Sequence, residues 1–193
     1  MSRVDLVVLG LLKHQPMHGY KIVSFFEKRG LTLWTRVKTA SVYKALQRLE
    51  KHGFIVGKKK QEDNNPPKKV FTITASGKKK FMEILRYYLF QEDVRNSPMD
   101  FWNAVRFIRK NISRDEFIRA LDNHEKCLNE HVQMMKKKHH KNLSKKNMDN
   151  LPFYAKIMMN KMKKIFEMEI NTISEMRKAA LKPENQNDFA EEE

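Results

Sequence analysis

The chain contains one cysteine, Cys127, among its 193 residues, and this excludes an internal disulfide. Its longest apolar run, residues 6–12, is far too short to span a membrane. No signal-peptide layout is present, because an acidic residue precedes that run and no cleavage-like site follows it. A phosphate loop, a nucleophile elbow and a paired-carboxylate motif are also missing. These absences predict a cytoplasmic protein with no membrane partner, no cofactor and no enzymatic activity.

Positive charge, by contrast, is abundant and unevenly distributed. The formal net charge is +16. Residues 1–92 carry 19 Lys and Arg against 7 Asp and Glu, whereas residues 93–193 carry 20 against 16. A concentrated positive field predicts a polyanionic partner, either nucleic acid or an anionic membrane surface. A generically basic surface would give the same composition, so the charge needs support from the local pattern.

The order of predicted elements in residues 1–92 supplies that pattern. Apolar residues at helical spacing predict helices over about residues 4–12 and 18–29, then a third from Thr39 to a stop at Gly53. Two β-rich segments, residues 54–60 and 68–74, flank a hairpin tip at residues 61–67. Thr74 then caps a fourth helix. Three helices, a two-stranded ribbon and a helix predict a winged helix-turn-helix domain at residues 1–92.

The third helix fits a DNA major groove in this interpretation. It buries a narrow stripe, Val42, Ala45, Leu46 and Leu49, and turns polar side chains outward. Arg48 is expected to pair with guanine, Gln47 with adenine, and Tyr43 with phosphate or a thymine methyl group. A solvated polar face is the alternative for any single residue. The predicted DNA-binding residues are Lys38, Thr39, Ser41, Tyr43, Lys44, Gln47 and Arg48 of this helix and Lys58, Lys59, Lys60, Lys68 and Lys69 of the wing.

Three motifs in this half resemble the PadR-type transcriptional regulators. They are "VVLGLLKHQPMHGYKI", "ASVYKALQRLEKHGFI" and "KKVFTITASGKKKF", which occur in the family's order and spacing over residues 4–90. The resemblance implies a homodimeric repressor that binds double-stranded DNA at an inverted-repeat operator. It also implies release by a small effector, such as a phenolic acid or an amphipathic drug.

Residues 99–182 are predicted to form a helical, coiled-coil-like dimerisation domain, so the whole protein is expected to be mainly α. A helix at residues 99–112 precedes a capping box formed by Ser113 and Glu116. Two long helices follow, to about residue 138 and over about residues 152–181, and each has one apolar seam. Residues 183–193 are expected to be a disordered acidic tail. The predicted dimerisation residues are Phe117, Leu121, Leu128, Val132, Phe166, Ile170 and Ile173.

Other features of the second half remain open. The methionine-rich seam fits core packing better than a pliable drug pocket. Trp102 is a candidate effector-binding residue, although a packing role is the stronger alternative. His124, Cys127 and His131 share one helix face, but a single helix without a supporting motif does not make a zinc site, and no metal is predicted. A helical protein-interaction adaptor, with the winged helix as a scaffold, is the alternative function.

Overall fold

The structure, a computed structural model, describes residues 2–28, 39–60, 68–91, 98–142 and 151–191. Contacts divide the chain into two compact units, an N-terminal unit (Met1–Leu89 and Met99–Phe107) and a C-terminal unit (Phe90–Pro98 and Ile108–Glu193). In the described part, the elements in chain order are α1 (Arg3–His14), β1 (Met17–His18), α2 (Gly19–Lys28), α3 (Thr39–Lys51), β2 (Ile55–Lys60), β3 (Lys68–Ile73), α4 (Ala75–Leu89), α5 (Pro98–Val105), α6 (Arg114–Asn142), α7 (Phe153–Ala180) and a 3-10 helix (Pro183–Asp188).

The N-terminal unit is a winged helix, as the sequence predicts. Its core is built from the apolar stripes of α1, α2, α3 and α4, and Val8, Ile22, Leu46 and Phe81 are fully buried in it. The sheet is antiparallel with strand order β1-β3-β2. The prediction of two strands was incomplete, because β1 has only two residues and such a short strand leaves no alternating pattern in the sequence.

The two ends of the connection between α3 and α4 match the predicted caps. Gly53 has a φ of 70°, which a glycine adopts without a Cβ penalty, and it ends α3. Phe54 donates its N–H to the Leu49 carbonyl at 2.9 Å, as expected for a Schellman motif. Thr74 Oγ1 accepts the N–H of Gly77 at 3.0 Å and caps α4. The predicted hairpin tip at residues 61–67 lies outside the described residues.

Helix α5 packs with the winged helix, although the sequence assigned it to the second domain. Phe101 is fully buried, and Phe107 beyond the helix meets Phe81 edge to face with ring centroids 6.1 Å apart. Buried Asp100 lies 2.5 Å from Arg3 Nε on α1. The predicted helix at residues 99–112 was also too long, since α5 ends at Val105. Aromatic contacts at long sequence separation, which periodicity does not report, set this boundary.

The C-terminal unit is an antiparallel pair of long helices, α6 and α7. The rings of His131 and Phe166 are in contact, with centroids 5.6 Å apart. Farther along the pair, Arg177 Nη2 on α7 lies 2.6 Å from Glu125 Oε2 on α6. Ser113 Oγ accepts the N–H of Glu116 at 3.2 Å at the start of α6, so this arm of the predicted capping box is present.

The segment after α7 is ordered over residues 183–191, a region for which the sequence predicts a disordered acidic tail. The 3-10 helix leads to Phe189, which is only 4% exposed and packs against Phe117 with ring centroids 5.9 Å apart. Ala190 donates its N–H to the Ile112 carbonyl at 3.0 Å. Composition pointed to disorder because one aromatic residue among acidic and amide groups carries little weight in a sequence average.

Candidate nucleic-acid interface

The outer face of α3 presents the polar residues that the sequence predicts. Four apolar side chains anchor the opposite face in the core, so the helix cannot rotate without exposing them. Tyr43 is 46% exposed, which leaves its ring and hydroxyl accessible. The exposed predicted residues of this helix are Thr39, Ser41, Tyr43, Lys44, Gln47 and Arg48. Lys51, one turn after Gln47, is exposed as well and was absent from the predicted set.

A second exposed tyrosine borders this face. Tyr43 is close to Gly19, the first residue of α2, where an added Cβ would come within 3.6 Å of the Tyr43 ring. Tyr20 follows directly, is 47% exposed and stacks on His18 with ring centroids 5.4 Å apart. The sequence signal for Tyr20 was the "HGY" motif, which was used for the family resemblance but not as a source of contact residues.

Arg48 differs from the other exposed residues of α3, because its guanidinium is ion-paired within the winged helix. Its Nη2 donates to Asp5 Oδ1 on α1 at 2.5 Å, so the guanidinium joins the recognition helix to the first helix. Helical spacing explains this position, because Arg48 lies on the flank of α3 rather than opposite the buried stripe. The expectation that Arg48 pairs with guanine therefore competes with an ion pair inside the winged helix.

The wing places cations opposite one another. In the register of β2 and β3, Lys59 pairs with Lys69 and Lys60 pairs with Lys68. Like charges directly across an antiparallel pair destabilise it unless an anion lies nearby. Lys58 and Lys59 are exposed. Lys69 instead donates to Glu50 Oε2 at 2.7 Å. Lys38 and the side chains of Lys60 and Lys68 lie outside the described residues.

The predicted dimerisation residues are buried or partly buried within the C-terminal unit of the single chain. Phe117, Leu121, Leu128 and Ile173 are buried within the C-terminal unit, and the other three, Val132, Phe166 and Ile170, are partly buried. A different face of α7 is exposed and apolar. Its members recur at spacings of three and four residues, which places them along one side of the helix: Tyr154, Ile157, Met158, Met162, Ile165 and Met168. We call these six residues the outer face of α7.

Trp102 is half-buried on α5, with its ring edge-to-face on Phe101 at 5.2 Å. It does not line the surface groove found along α6, whose walls include Asp122, Glu125 and Glu130. The Arg177 guanidinium contacts two of these wall residues, and its Nη2 lies 2.7 Å from Asp122 Oδ1. Its hydrogen bond to Glu125 is the main reason that its pKa is raised. The expected effector role of Trp102 remains a prediction.

His124 is the notable titratable group of the C-terminal unit. It is 2% exposed, and burial lowers its pKa to about 4. Within the described ranges, no group of three or more His, Cys, Asp or Glu side chains is arranged to hold a metal ion. None of the helices in the same ranges combines the length and the apolar character needed to cross a bilayer.

Comparisons with known proteins agree with the winged-helix geometry. The model of the transcriptional regulator PadR-like family matches residues 8–83. The negative transcriptional regulator PadR of Bacillus subtilis (strain 168) is 30% identical over 100 residues, which cover 51% of this chain and 54% of that protein. The chain thus spans about half the length of this curated relative.

Two solved structures are among those similar to this chain. A transcriptional regulator from Clostridium thermocellum is 27% identical, with 48% of this chain and 86% of that chain covered and a TM-score of 0.42. Bacillus subtilis PadR in complex with operator DNA is 20% identical, with 91% and 98% covered and a TM-score of 0.41. Residues 8–83, which form the winged helix, are thus similar to the PadR-like family of transcriptional regulators.

Proposed function

We propose that the chain is a sequence-specific DNA-binding regulator of transcription that acts in the cytoplasm as a homodimeric repressor. The observation that carries this proposal is the pairing of two features in one unit. Helix α3 exposes hydrogen-bonding side chains over a buried apolar stripe, and the adjacent wing places lysines opposite lysines. The exposed side chains of α3 can form hydrogen bonds with base edges in a major groove, and phosphates can neutralise the lysines of the wing.

Homodimerisation is supported by the outer face of α7. Single exposed apolar residues are ordinary, but six along one side of a helix form a patch that soluble proteins normally cover. A second copy of α7 offers the same patch and satisfies a two-fold interface. Two winged helices held in this way would meet two half-sites of an inverted repeat, about one helical turn apart.

Release by a small aromatic or amphipathic effector is the further part of this proposal, and it rests on the family resemblance. An effector can shift the protein away from DNA only if it binds the non-binding conformation more tightly. Trp102 is the residue proposed to contact it. Fluorescence quenching by a planar aromatic acid, together with loss of operator binding, tests this, and Trp102→Ala should abolish both while leaving ligand-free affinity intact.

The experiment that tests DNA recognition is selection of bound fragments from random duplex DNA by the full chain, followed by sequencing. The expected result is an enriched inverted repeat whose half-sites are bound with higher affinity than random DNA. The absence of any enriched sequence, with weak binding to all fragments, would reject sequence-specific recognition and favour the adaptor alternative.

A further inference from the structure

One carboxylate of α3, the proposed recognition helix, contacts both strands of the wing. Glu50 lies in the last turn of α3, and its two oxygens contact the two strands of the wing separately. Oε1 accepts the backbone N–H of Gly57 on β2 at 3.1 Å, and Oε2 accepts Lys69 Nζ from β3 at 2.7 Å. Because β2 is an edge strand, this Gly57 N–H would otherwise face solvent.

Gly57 makes the contact to β3 possible. It pairs with Phe71, and Lys69 and Phe71 lie on the same face of β3 because side chains two residues apart share a face. The aliphatic chain of Lys69 crosses β2 where a side chain at position 57 would lie, and a Cβ there would overlap Lys69 Cε. The ammonium group is 5.3 Å from the Phe71 ring centroid. A side chain at position 57 would therefore force Lys69 off this path to Glu50.

The exposure of this ion pair limits its contribution to stability. The side chains of Lys69 and Glu50 are 45% and 31% exposed, and ion pairs with such access to water contribute little to folding. What the contacts do fix is geometry, since one rigid helix end is joined to both strands. Lys58 and Lys59, the exposed cations of β2, directly follow Gly57, so their distance from the outer face of α3 depends on this attachment.

We propose that Glu50, Gly57 and Lys69 form a wing tether, which sets the position of the wing cations relative to the recognition helix and so determines operator affinity. In this arrangement Lys69 is a positioning residue and not a phosphate ligand. Glu50 is likewise a positioning residue, although its negative charge lies beside a surface that binds a polyanion. The inference rests on the proposed DNA-binding function and identifies two residues that act through the wing.

The direction in which Glu50→Ala changes operator affinity separates this positioning role from electrostatic repulsion of DNA. If Glu50 only repelled DNA, Glu50→Ala would strengthen operator binding, because it removes a negative charge. If Glu50 holds the wing, the same change weakens operator binding, by on the order of tenfold when wing–phosphate contacts are lost. Lys69→Ala should weaken binding by a similar factor, and the double variant should be no weaker than either single variant.

The experiment measures operator affinity, its salt dependence and hydroxyl-radical footprints for the full-length wild type, the two single variants and the double variant. The tether predicts that protection by the wing is lost while protection by α3 is retained. Lys59→Gln is the matched control, which removes one cation and leaves the tether intact. It should lower the salt slope by about 0.9. Gly57→Ala should weaken binding in the wild type, because the added Cβ would crowd both Lys69 Cε and Glu50 Oε1, and should have little effect in the double variant.

Amide hydrogen exchange of Gly57 in the DNA-free protein gives an independent result. Exchange should accelerate in Glu50→Ala, because the N–H loses its acceptor, while core amides of α3 are unchanged. If Gly57 exchange is unchanged, the tether is rejected even if DNA binds. Stronger operator binding by Glu50→Ala, with additive effects of the two substitutions, also overturns it. If the wild type binds no DNA but Gly57 exchange responds as expected, the tether stands and the proposed function fails.

Discussion

Gln47 and Arg48 are neighbours in sequence, yet the fold gives them different surroundings. Gln47 is exposed on α3, whereas the Arg48 guanidinium is held by Asp5 on α1. A side chain that reads a base edge contributes only on the correct sequence, and a side chain that orients a helix contributes on every sequence. If α3 binds DNA as proposed, we therefore expect Gln47 to contact a base and Arg48 to hold α3 on α1.

Alanine substitution should separate these two roles. Gln47→Ala is expected to weaken operator binding by about 1–3 kcal/mol and leave binding to random DNA unchanged. Arg48→Ala should weaken both by the same factor, and Asp5→Ala should reproduce its effect. Titrations with operator and scrambled duplexes at one salt concentration provide the measurement. A loss confined to the operator in Arg48→Ala would mean that this guanidinium leaves Asp5 and contacts a base.

His124 gives the C-terminal unit a defined sensitivity to acid. Its folded-state pKa is about 4, below the ordinary value of 6.5, so the unfolded chain binds the proton more readily. The stabilisation is therefore complete above pH 6.5 and is lost as the pH falls toward 4. Between pH 7 and pH 5 the neutral imidazole should account for a loss of about 2 kcal/mol in the free energy of unfolding.

The measurement is urea unfolding of wild type and His124→Gln at pH 7 and pH 5, followed by circular dichroism. Carboxylates contribute equally to both proteins, so the difference between them reports the histidine. The variant should lose about 2 kcal/mol less than the wild type over this interval. An identical pH dependence in both proteins would show that folding does not change the pKa of His124.

Among the elements, the segment after α7, residues 183–191, binds the loop that precedes α6 through hydrogen bonds and an ion pair. Lys110 in this loop has a φ of 55°, an unusual value for a residue with a side chain. Its N–H is held by the Asp188 carbonyl at 2.9 Å, and Arg109 Nε lies 3.0 Å from Asp188 Oδ1. Phe189 anchors the segment on Phe117, with the Arg114 guanidinium 5.9 Å from its ring centroid.

Removing that anchor should release the segment and the loop together. Phe189→Ala is expected to cost up to about 3–5 kcal/mol of local stability, the range for losing a buried phenyl ring. Hydrogen exchange at the Lys110 and Ala190 amides should accelerate together, because both hydrogen bonds depend on the docked segment. Glu191→Ala, at an exposed position, is the control. Acceleration at Ala190 alone would show that the loop holds its conformation without the segment.

Some elements of this fold are set by local sequence signals, whereas others depend on contacts between residues far apart in the sequence. Helix α3 and its Gly53 cap were predictable, because periodicity and a C-terminal glycine are local signals. The docking of Phe189, the assignment of α5 to the winged helix and the reach of Lys69 across Gly57 depend on contacts distant in sequence. The predicted seams of α6 and α7 were real apolar faces. Their partner could not be read from spacing, which does not distinguish a neighbour in the same chain from a second copy.

At the scale of the whole molecule, α7 has more apolar surface than its own chain covers. Ile173 is buried on one side of α7, whereas the six residues of the outer face of α7 are exposed in the described part of the single chain. A helix that is apolar on two sides needs a partner on each. In the proposed dimer, α7 would thus complete the C-terminal unit and also bind a second copy, so that two winged helices could engage a two-fold operator.

Charges placed on the outer face of α7 should separate the dimer without unfolding the chain. Ile157→Glu with Ile165→Glu puts two carboxylates on the exposed side, where burial against a second copy would leave them unpaired. Sedimentation at micromolar concentration should change from dimer to monomer, and operator affinity should fall by about 10²–10⁴ as the second half-site contact is lost.

Lys163→Glu, on an exposed flank of α7 away from the outer face, is the matched control and should remain dimeric. Helical content should be the same in all three proteins, because the substituted residues are exposed in the monomer. A dimer that survives both glutamates would place the interface on another surface, and a monomer in the wild type would remove the avidity on which the two-fold operator depends.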